Sequence, residues 1–416
     1  MVPEYMIDDR VAVSKITSGP KFPLTDIGLP CFKEYKRGDI VVFRNPHYTI
    51  NRQSEVKSIV SQLLYMFTFT FVNTNVDEDG NLIPDPLVKR ITGVPGEQLM
   101  MQDGILYSRT KDSPEFKPVQ EDARWACYNL DKESEALKRM MKRESLLISR
   151  YFENQELLES YRNEISISEL VGQCKEISEE FNRLKKDGAE KALTSDELIS
   201  LFGSDFLHVE NFWKEFQNGC DLSNRFLNEI LSNPNGAAWF TAFMTDWIDN
   251  YEGLVKDGYI GGNLYEQSCF KLNLIYKRTL GKLICETYKN VMQDVPTNHW
   301  EQQPEIVQLK SDLHMLYVYM NFMDRRNMPV FPADDKFGNP QYIPEDCFFL
   351  MGDNRFNSLD MRHSLGVTNI KLTKFDNYSI VYSSSMNPQY VPKKLILGSA
   401  GVRFWPIGRP ERASAK

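Results

Sequence analysis

The sequence contains no long apolar run and no excess of positive charge. Among its 416 residues there is no window of about 20 uncharged apolar residues, so no segment is predicted to cross a bilayer as a helix. No signal peptide is recognisable at its start. The formal net charge is −8, whereas a general nucleic-acid binder carries a basic excess. These absences predict a globular protein that has no nucleic-acid partner.

Patterns typical of metal and disulfide sites are also lacking. The seven cysteines are scattered and include no C-x-x-C pair, which argues against a zinc site or a thioredoxin-like motif. The five histidines show no metal-ligand spacing. The acidic stretch Asn75–Asn81 starts like a calcium loop, but Pro86 stands where a bidentate glutamate is needed. We therefore expect neither a metal ion nor an organic cofactor, while a disulfide framework stays open.

Three zones of the chain differ in their residue patterns. Residues 1–120 and 331–416 contain short β-like runs that Pro and Gly separate. Residues 121–330 carry long stretches with helical spacing. The pattern predicts an α+β fold, in which a mainly antiparallel β core is interrupted by a large helical insertion. Within the insertion it predicts a capping box at Thr194–Glu197 and two helices, at 264–293 and 303–324.

The most apolar run, Ile59–Val72, ends at Phe67–Phe71, where phenylalanine alternates with threonine. Alternation with period two is typical of a strand that has one apolar face. Such a face fits either a half-buried core strand or an aromatic strand that rests on a membrane surface, since exposed apolar faces mark interaction sites. The run alone favours the core strand.

Three stretches carry candidate chemistry. Gly352–Arg362 is a dense polar cluster directly after an apolar strand, and as a plain turn it would be held by salt bridges. Lys89 lies inside an apolar strand of the stretch Asp85–Glu97. A strand lysine usually points to solvent, whereas a buried one would be neutral near pH 7 and could act as a base. Lys36–Pro46 fits a turn that leads into a buried strand.

Together with the first fifteen residues, these stretches resemble bacterial type I signal peptidases (leader peptidases), which are Ser–Lys proteases. The resemblance covers roughly residues 1–120 and 340–409 and not the helical block. Five segments correspond in the family's order: 1–15 to the segment after the nucleophile, 37–46 to G-D-x-V-V-F, 88–97 to K-R-x-x-G-x-P-G-[DE], 352–362 to G-D-N-R-x-N-S-x-D-x-R, and 390–409 to the closing segment.

The resemblance implies a mechanism. A serine hydroxyl needs an adjacent base, and in a Ser–Lys dyad a neutral lysine takes its proton and later gives it to the leaving amine. Lys89 would be this base, and Ser358 would orient its amine. Two supporting ion pairs would brace the strands around them. These pairs join Arg90 with Asp353 and Asp360 with Arg362.

The family's substrates carry small side chains, often alanine, at the first and third positions before the cut, because shallow apolar pockets select them. Each matching position in this sequence could equally be a core residue. The matching positions are Met1, Tyr5, Val11, Val42, Leu87 and Val88.

The sequence also departs from the family's pattern. The nucleophilic serine should directly precede Met1, with an oxyanion-hole hydroxyl two residues earlier, and the sequence contains neither of them nor a membrane anchor. We therefore expect this chain to be inactive, through a trimmed or misplaced start. Ser385 completes a Ser-Met-x-Pro string in Ser383–Pro388, but the residues after it fit the closing segment, so it is a disfavoured nucleophile. Phe356 and Met361 stand where Asp and Ser are common.

The predicted function is that of a signal peptidase I type endopeptidase, which removes signal peptides from exported preproteins at the periplasmic side of the cytoplasmic membrane. The alternative is a non-catalytic homologue that binds substrates or an unknown partner through its helical insertion. A self-cleaving Ser–Lys repressor is disfavoured because no basic helix-turn-helix region precedes Lys89. With a membrane surface as partner, the balance between the two interpretations of Phe67–Phe71 moves towards even.

Overall fold

A computed structural model describes residues 1–6, 9–14, 19, 32–46, 86–141, 151–184, 207–217 and 236–405. The predicted strand Phe67–Phe71, the acidic turn Asn75–Asn81 and the capping box Thr194–Glu197 lie outside these residues. The described part confirms the predicted α+β fold. The chain forms two compact units. Unit 1 comprises residues 1–150, 330–365 and 386–416, and unit 2 comprises residues 151–329 and 366–385.

Strands dominate unit 1. The strands of the described residues are β1 (Arg10–Ser14), β2 (Ile40–Phe43), β3 (Leu87–Gly93), β4 (Gln98–Gln102), β5 (Ile105–Arg109), β6 (Lys117–Pro118), β7 (Val255–Lys256), β8 (Tyr259–Ile260), β9 (Met328–Phe331), β10 (Cys347–Met351), β11 (His363–Lys371), β12 (Val381–Met386), β13 (Val391–Pro392) and β14 (Ile396–Trp405). Strands β7 and β8, and most of β11 and β12, belong to unit 2. One sheet has the order β1-β14-β2-β3-β10-β13 and another the order β6-β5-β4-β9.

Strand β3 lies in the interior of the six-stranded sheet. It pairs antiparallel with β2 on one side and with β10 on the other. Val41 lies opposite Lys89, and Met351 lies opposite Arg90. All five residues of β10 are buried, as its uninterrupted apolar sequence CFFLM indicates. The polar segment 352–362 therefore leaves a buried strand directly beside Lys89 and Arg90.

Helices dominate unit 2. The helices of the described residues are α1 (Glu135–Lys138), which belongs to unit 1, and α2 (Phe152–Glu164), α3 (Ile167–Leu184), α4 (Val209–Gln217), α5 (Gly236–Thr245), α6 (Leu264–Met292), α7 (Thr297–Trp300) and α8 (Pro304–Arg326). The bounds of α6 and α8 confirm the two predicted helices to within two residues. Helix α6 begins after Asn263, whose side chain accepts the Glu266 backbone N–H at 3.0 Å.

Aromatic side chains fill the core of unit 2. The rings of Trp239 and Phe243 stack at 5.2 Å between centroids, and those of Phe181 and Phe240 lie 4.3 Å apart. All four side chains are buried. The contact of Phe181 with Phe240 joins α3 to α5, whereas the stacked rings of Trp239 and Phe243 both belong to α5.

A buried polar cluster joins residues 366–385 to helix α6 within unit 2. Lys277 and Asp376, both fully buried, form an ion pair. The Asn273 amide donates to Asp376 Oδ2 at 2.7 Å, and the Ile380 backbone N–H donates to Asn273 Oδ1 at 2.9 Å. Buried charges are stable only when they are paired, so this cluster fixes the segment on α6.

The compact units have bounds other than the predicted domain limits at 120/121 and 330/331, which stay a prediction. Residues 121–141 lie in unit 1, where Asp122 pairs with Arg355. Residues 366–385 lie in unit 2 because of the cluster around Lys277. The cysteines within the described residues are free thiols, at positions Cys127, Cys174, Cys269, Cys285 and Cys347.

Candidate active site

Lys89 and Ser358 meet at the centre of the candidate site. Lys89 is in the middle of β3 and is 9% exposed. Ser358 follows the 3₁₀ turn Arg355–Asn357 and is 4% exposed. Lys89 Nζ donates a hydrogen bond to Ser358 Oγ at 2.8 Å. The structure thus brings together the two residues that the resemblance placed in one site, although 269 positions separate them.

Gly352 leaves the space in which this hydrogen bond forms. A Cβ atom at this position would lie 2.1 Å from Ser358 Oγ and 3.4 Å from Lys89 Nζ. Carbon and oxygen atoms in contact sit about 3 Å or more apart, so a side chain here would displace Ser358. The glycine is required by this close approach of side chains to the backbone.

Burial lowers the pKa of Lys89 below its ordinary value. The negative charge of Asp360 opposes this shift, the positive charge of Arg362 adds to it, and Asp353 opposes it more weakly. A lysine whose pKa is lowered by desolvation loses its proton at a lower pH than an exposed lysine does. The neutral amine that results is the form that can accept a proton. The environment of Lys89 therefore suits a general base.

We expect the substitution Lys89→Met to raise the free energy of unfolding at pH 7. In the unfolded chain Lys89 holds its proton up to a pKa of about 10.4. Between the lowered folded pKa and that value the folded state binds fewer protons, so the stability of the parent rises with pH. The difference in the free energy of unfolding between Lys89→Met and the parent should therefore shrink as the pH approaches about 10. Urea unfolding across this pH range measures the difference.

The exposed Lys117→Met is the matched control, because it removes the same atoms from the surface of unit 1. Its effect on the free energy of unfolding should stay small at every pH. A Lys89→Met variant that is less stable than the parent at pH 7, or whose difference does not change with pH, would contradict a desolvated Lys89.

Arg90, next to Lys89, forms a two-pronged ion pair with Asp353. Arg90 Nε donates to Asp353 Oδ1 at 2.8 Å, and Nη2 donates to Oδ2 at 2.7 Å. The third donor, Nη1, binds the carbonyl oxygen of Gly38 at 2.9 Å. Bidentate pairs fix orientation as well as distance. This pair therefore fastens β3 to the first residues of segment 352–362.

Asp360 and Arg362 form the second predicted pair. Arg362 Nε donates to Asp360 Oδ1 at 2.8 Å, and the Gly352 backbone N–H donates to Asp360 Oδ2 at 3.0 Å. Burial opposes ionisation of Asp360, but the charge and the hydrogen bonds of Arg362 hold its pKa below the usual range. An ionised Asp360 thus holds both ends of the segment that carries Ser358.

Two residues at this site were missed by the sequence interpretation. Asp122 binds the guanidinium of Arg355, with Arg355 Nη1 donating to Asp122 Oδ2 at 2.8 Å. The Trp125 ring lies over the guanidinium of Arg90, 4.8 Å from its centroid. Both fall in the zone that was assigned to the helical insertion. The one hint in the sequence was Arg355 itself, since an arginine in a buried cluster needs a carboxylate partner.

The first residue of the chain is electrostatically close to Lys89. Burial lowers the pKa of the Met1 α-amino group to about 6, with the charge of Lys89 as the next cause. The negative charges of Asp353 and Asp360 oppose this shift. The Tyr5 hydroxyl donates a hydrogen bond to the Gly401 carbonyl oxygen at 2.9 Å, and both residues belong to unit 1. The charges around Lys89 thus act on the Met1 amino group.

The remaining predicted substrate positions lie in the six-stranded sheet. Val42 faces Val88 across β2 and β3, and Val11 pairs with Arg403 across β1 and β14. By strand alternation, Leu87 shares the sheet face of Lys89, whereas Val42 and Val88 share the other face. Val88 is 36% exposed while Val42 is buried. Their role in substrate binding stays a prediction.

Ser385, the disfavoured nucleophile, is grouped with unit 2, whereas Lys89 belongs to unit 1. Its backbone N–H donates to Asp324 Oδ2 at 3.1 Å.

Within the residues that the structure describes, no three His, Cys, Asp or Glu side chains are grouped in a way that could hold a metal ion. In the same residues, no helix combines the length and apolarity needed to cross a membrane.

Comparison with known proteins gives one family. Residues 1–156 match the family described as signal peptidase, peptidase S26. A curated relative, Signal peptidase I of Leptolyngbya laminosa, is 36% identical over 78 residues, which are 19% of this chain and 26% of the relative. The chain thus spans about a quarter of the length of that relative. No solved structure matches the chain. These two matches support a signal peptidase I-like protein.

Proposed function

We propose that unit 1 carries the site of a serine endopeptidase in which Lys89 is the general base. The observation that supports this most strongly is the buried hydrogen bond of 2.8 Å from Lys89 Nζ to Ser358 Oγ. The proposal requires a serine directly before Met1 whose hydroxyl reaches Lys89.

The chemistry then proceeds in two halves. Neutral Lys89 Nζ takes the proton of the serine hydroxyl as the oxygen attacks the scissile carbonyl carbon. The resulting ammonium gives that proton to the leaving amine when the C–N bond breaks, and an acyl ester remains on the serine. A water molecule, deprotonated by the same lysine, hydrolyses the ester. Ser358 accepts a hydrogen bond from Nζ, so it keeps the amine aimed during both halves.

The proposed substrates are signal peptides of exported preproteins, with small side chains at the first and third positions before the cut. Signal peptides are substrates of the family, and apolar residues flank Lys89 on β3. Leu87 lies two residues before Lys89 on the same face of β3. We further propose that the site works at a membrane surface, on the extracytoplasmic side, where such peptides emerge.

The experiment compares three chains. The Ser-extended chain carries Gly-Ser-Gly-Ser before Met1, the Ala-extended chain carries Gly-Ser-Gly-Ala, and the third begins at Met1. We expect the Ser-extended chain to cleave a peptide that has alanine at both recognition positions, at a rate at least about 100-fold above the other two. Mass spectrometry of the products measures the rate and the position of the cut.

Two results would contradict the proposal. Equal cleavage by all three chains, abolished by Ser385→Ala, would show that the nucleophile is Ser385. Peptide binding without cleavage by the Ser-extended chain would favour the non-catalytic alternative, in which the helical unit 2 binds substrates or partners.

A further inference from the structure

We propose that residues 122–127, here called the bracing segment, position Lys89 and Ser358 for reaction, with Asp122 and Trp125 as the positioning residues. This inference rests on the proposed function. It assigns a role to a part of the chain that lies within the residues matched by the family but carries no recognisable motif.

Asp122 connects the bracing segment to the loop of Ser358. Its two carboxylate oxygens accept hydrogen bonds of 2.8 and 2.5 Å from Arg355 Nη1 and Nη2. Arg355 is fully buried, and its Nε donates to the Gly352 carbonyl oxygen at 3.0 Å. Asp122 thus fixes Arg355, and Arg355 in turn fixes Gly352 through its carbonyl oxygen. Gly352 leaves room for Ser358 Oγ because it has no side chain.

Trp125 connects the same segment to the strand of Lys89. Its ring covers the Arg90 guanidinium, and its Nε1 donates to Asp122 Oδ1 at 3.1 Å. On the other side, a Cβ atom on Gly38 would come within 3.2 Å of the indole. The ring therefore fills the space between Gly38 and Arg90.

Backbone hydrogen bonds complete the connection. The Cys127 N–H donates to the Asp353 carbonyl oxygen at 2.8 Å, and the Arg355 N–H donates to the Cys127 carbonyl oxygen at 2.8 Å. The bracing segment thus pairs with both neighbours of Asn354. One short segment contacts the strand that carries Lys89 and the loop that carries Ser358, so it fixes the distance between them.

The test uses two substitutions at Trp125 in the Ser-extended chain. Trp125→Leu removes the ring from Arg90, whereas Trp125→Phe keeps a ring there and loses only the Nε1 hydrogen bond. Displacement of a reacting group by about 1 Å costs up to about 100-fold in rate. We expect Trp125→Leu to lower kcat by about 10-fold or more with KM within about twofold of the parent, and Trp125→Phe to retain most of the parent kcat.

A second readout separates positioning from folding. Lysine NMR with ¹³C at Cε, on the chain that begins at Met1, follows the protonation of Lys89 directly. We expect Trp125→Leu to raise the pKa of Lys89, because looser packing admits water and weakens the desolvation that lowers this pKa. Trp125→Phe should leave it close to the parent value. Asp122→Asn, tested by its cleavage rate, should lower kcat as well; if this variant does not fold, the Trp125 pair decides.

The outcomes are distinguishable from a failure of the proposed function. If the Ser-extended parent does not cleave, the proposed function is wrong, and the NMR comparison still tests positioning. Unchanged kcat and unchanged pKa of Lys89 in Trp125→Leu would overturn the positioning role. So would a loss of activity that matches the loss of folded protein and leaves the pKa of Lys89 unchanged.

Discussion

Replacement of Lys89 by methionine in the Ser-extended chain is expected to lower kcat by about 10²- to 10⁴-fold, the range that general-base catalysis contributes. Methionine has nearly the length of lysine but no amine, so the hydroxyl proton has no acceptor at the position of Nζ. The hydrogen bond to Ser358 is lost as well. Rates of peptide cleavage under saturating substrate measure the effect.

The pH dependence of the same reaction gives an independent check. In the parent, kcat/KM should rise as Lys89 loses its proton, and burial places this rise below the ordinary lysine pKa. The control Lys117→Met removes an exposed amine of unit 1 and should retain both the rate and its pH dependence. A Lys89→Met variant that loses less than about tenfold in kcat and still shows the rise would exclude Lys89 as the base.

Gly352→Ala is expected to have the second largest effect, at least about a 100-fold loss of kcat. The added methyl group would lie 2.1 Å from Ser358 Oγ, so Ser358 must move and its hydrogen bond with Lys89 must break. Forcing an extra carbon into a filled site also costs about 1–3 kcal/mol of folding stability. Steady-state kinetics and urea unfolding measure the two effects separately.

Gly366→Ala is the matched control for this substitution. It adds the same methyl group to an exposed glycine of β11, where a Cβ atom would meet nothing within 4 Å. We expect it to leave both kcat and stability close to the parent. Parent-like kcat in Gly352→Ala would show that the contact between Lys89 and Ser358 is not needed for cleavage.

Local pattern predicted part of this structure well. Helices α6 and α8 were located because apolar residues recur with helical spacing over more than 20 positions. The buried strand β10 was evident from five consecutive apolar residues. In each case the information lies within one segment, where period and length decide between helix and strand.

Resemblance, rather than local pattern, indicated which distant residues meet. The approach of Lys89 to Ser358 and of Arg90 to Asp353 follows the order of motifs in a known family. From the residues alone, Lys89 could be a solvent-facing strand lysine or a buried base, and a strand lysine points to solvent more often than into a core. The structure shows that Lys89 is buried.

Contacts without a motif escaped prediction altogether. Asp122 and Arg355 are 233 positions apart, and nothing in the sequence around Asp122 indicates a buried carboxylate. The same holds for Lys277, a charged residue in the middle of α6, whose partner Asp376 lies 99 positions further along the chain than Lys277. A buried charge reveals that it needs a partner, but the sequence does not tell which residue that is.

The most direct test of a Ser–Lys site at Lys89 is the position at which the chain becomes acylated. The Ser-extended chain is incubated with an activated peptide ester that ends in alanine, and peptide mapping by mass spectrometry locates the acyl group. We predict acylation of the added serine directly before Met1, and its absence at the same time point in the Lys89→Met variant. Acylation at Ser385, or equal acylation of the added serine without Lys89, would contradict a dyad of that serine with Lys89.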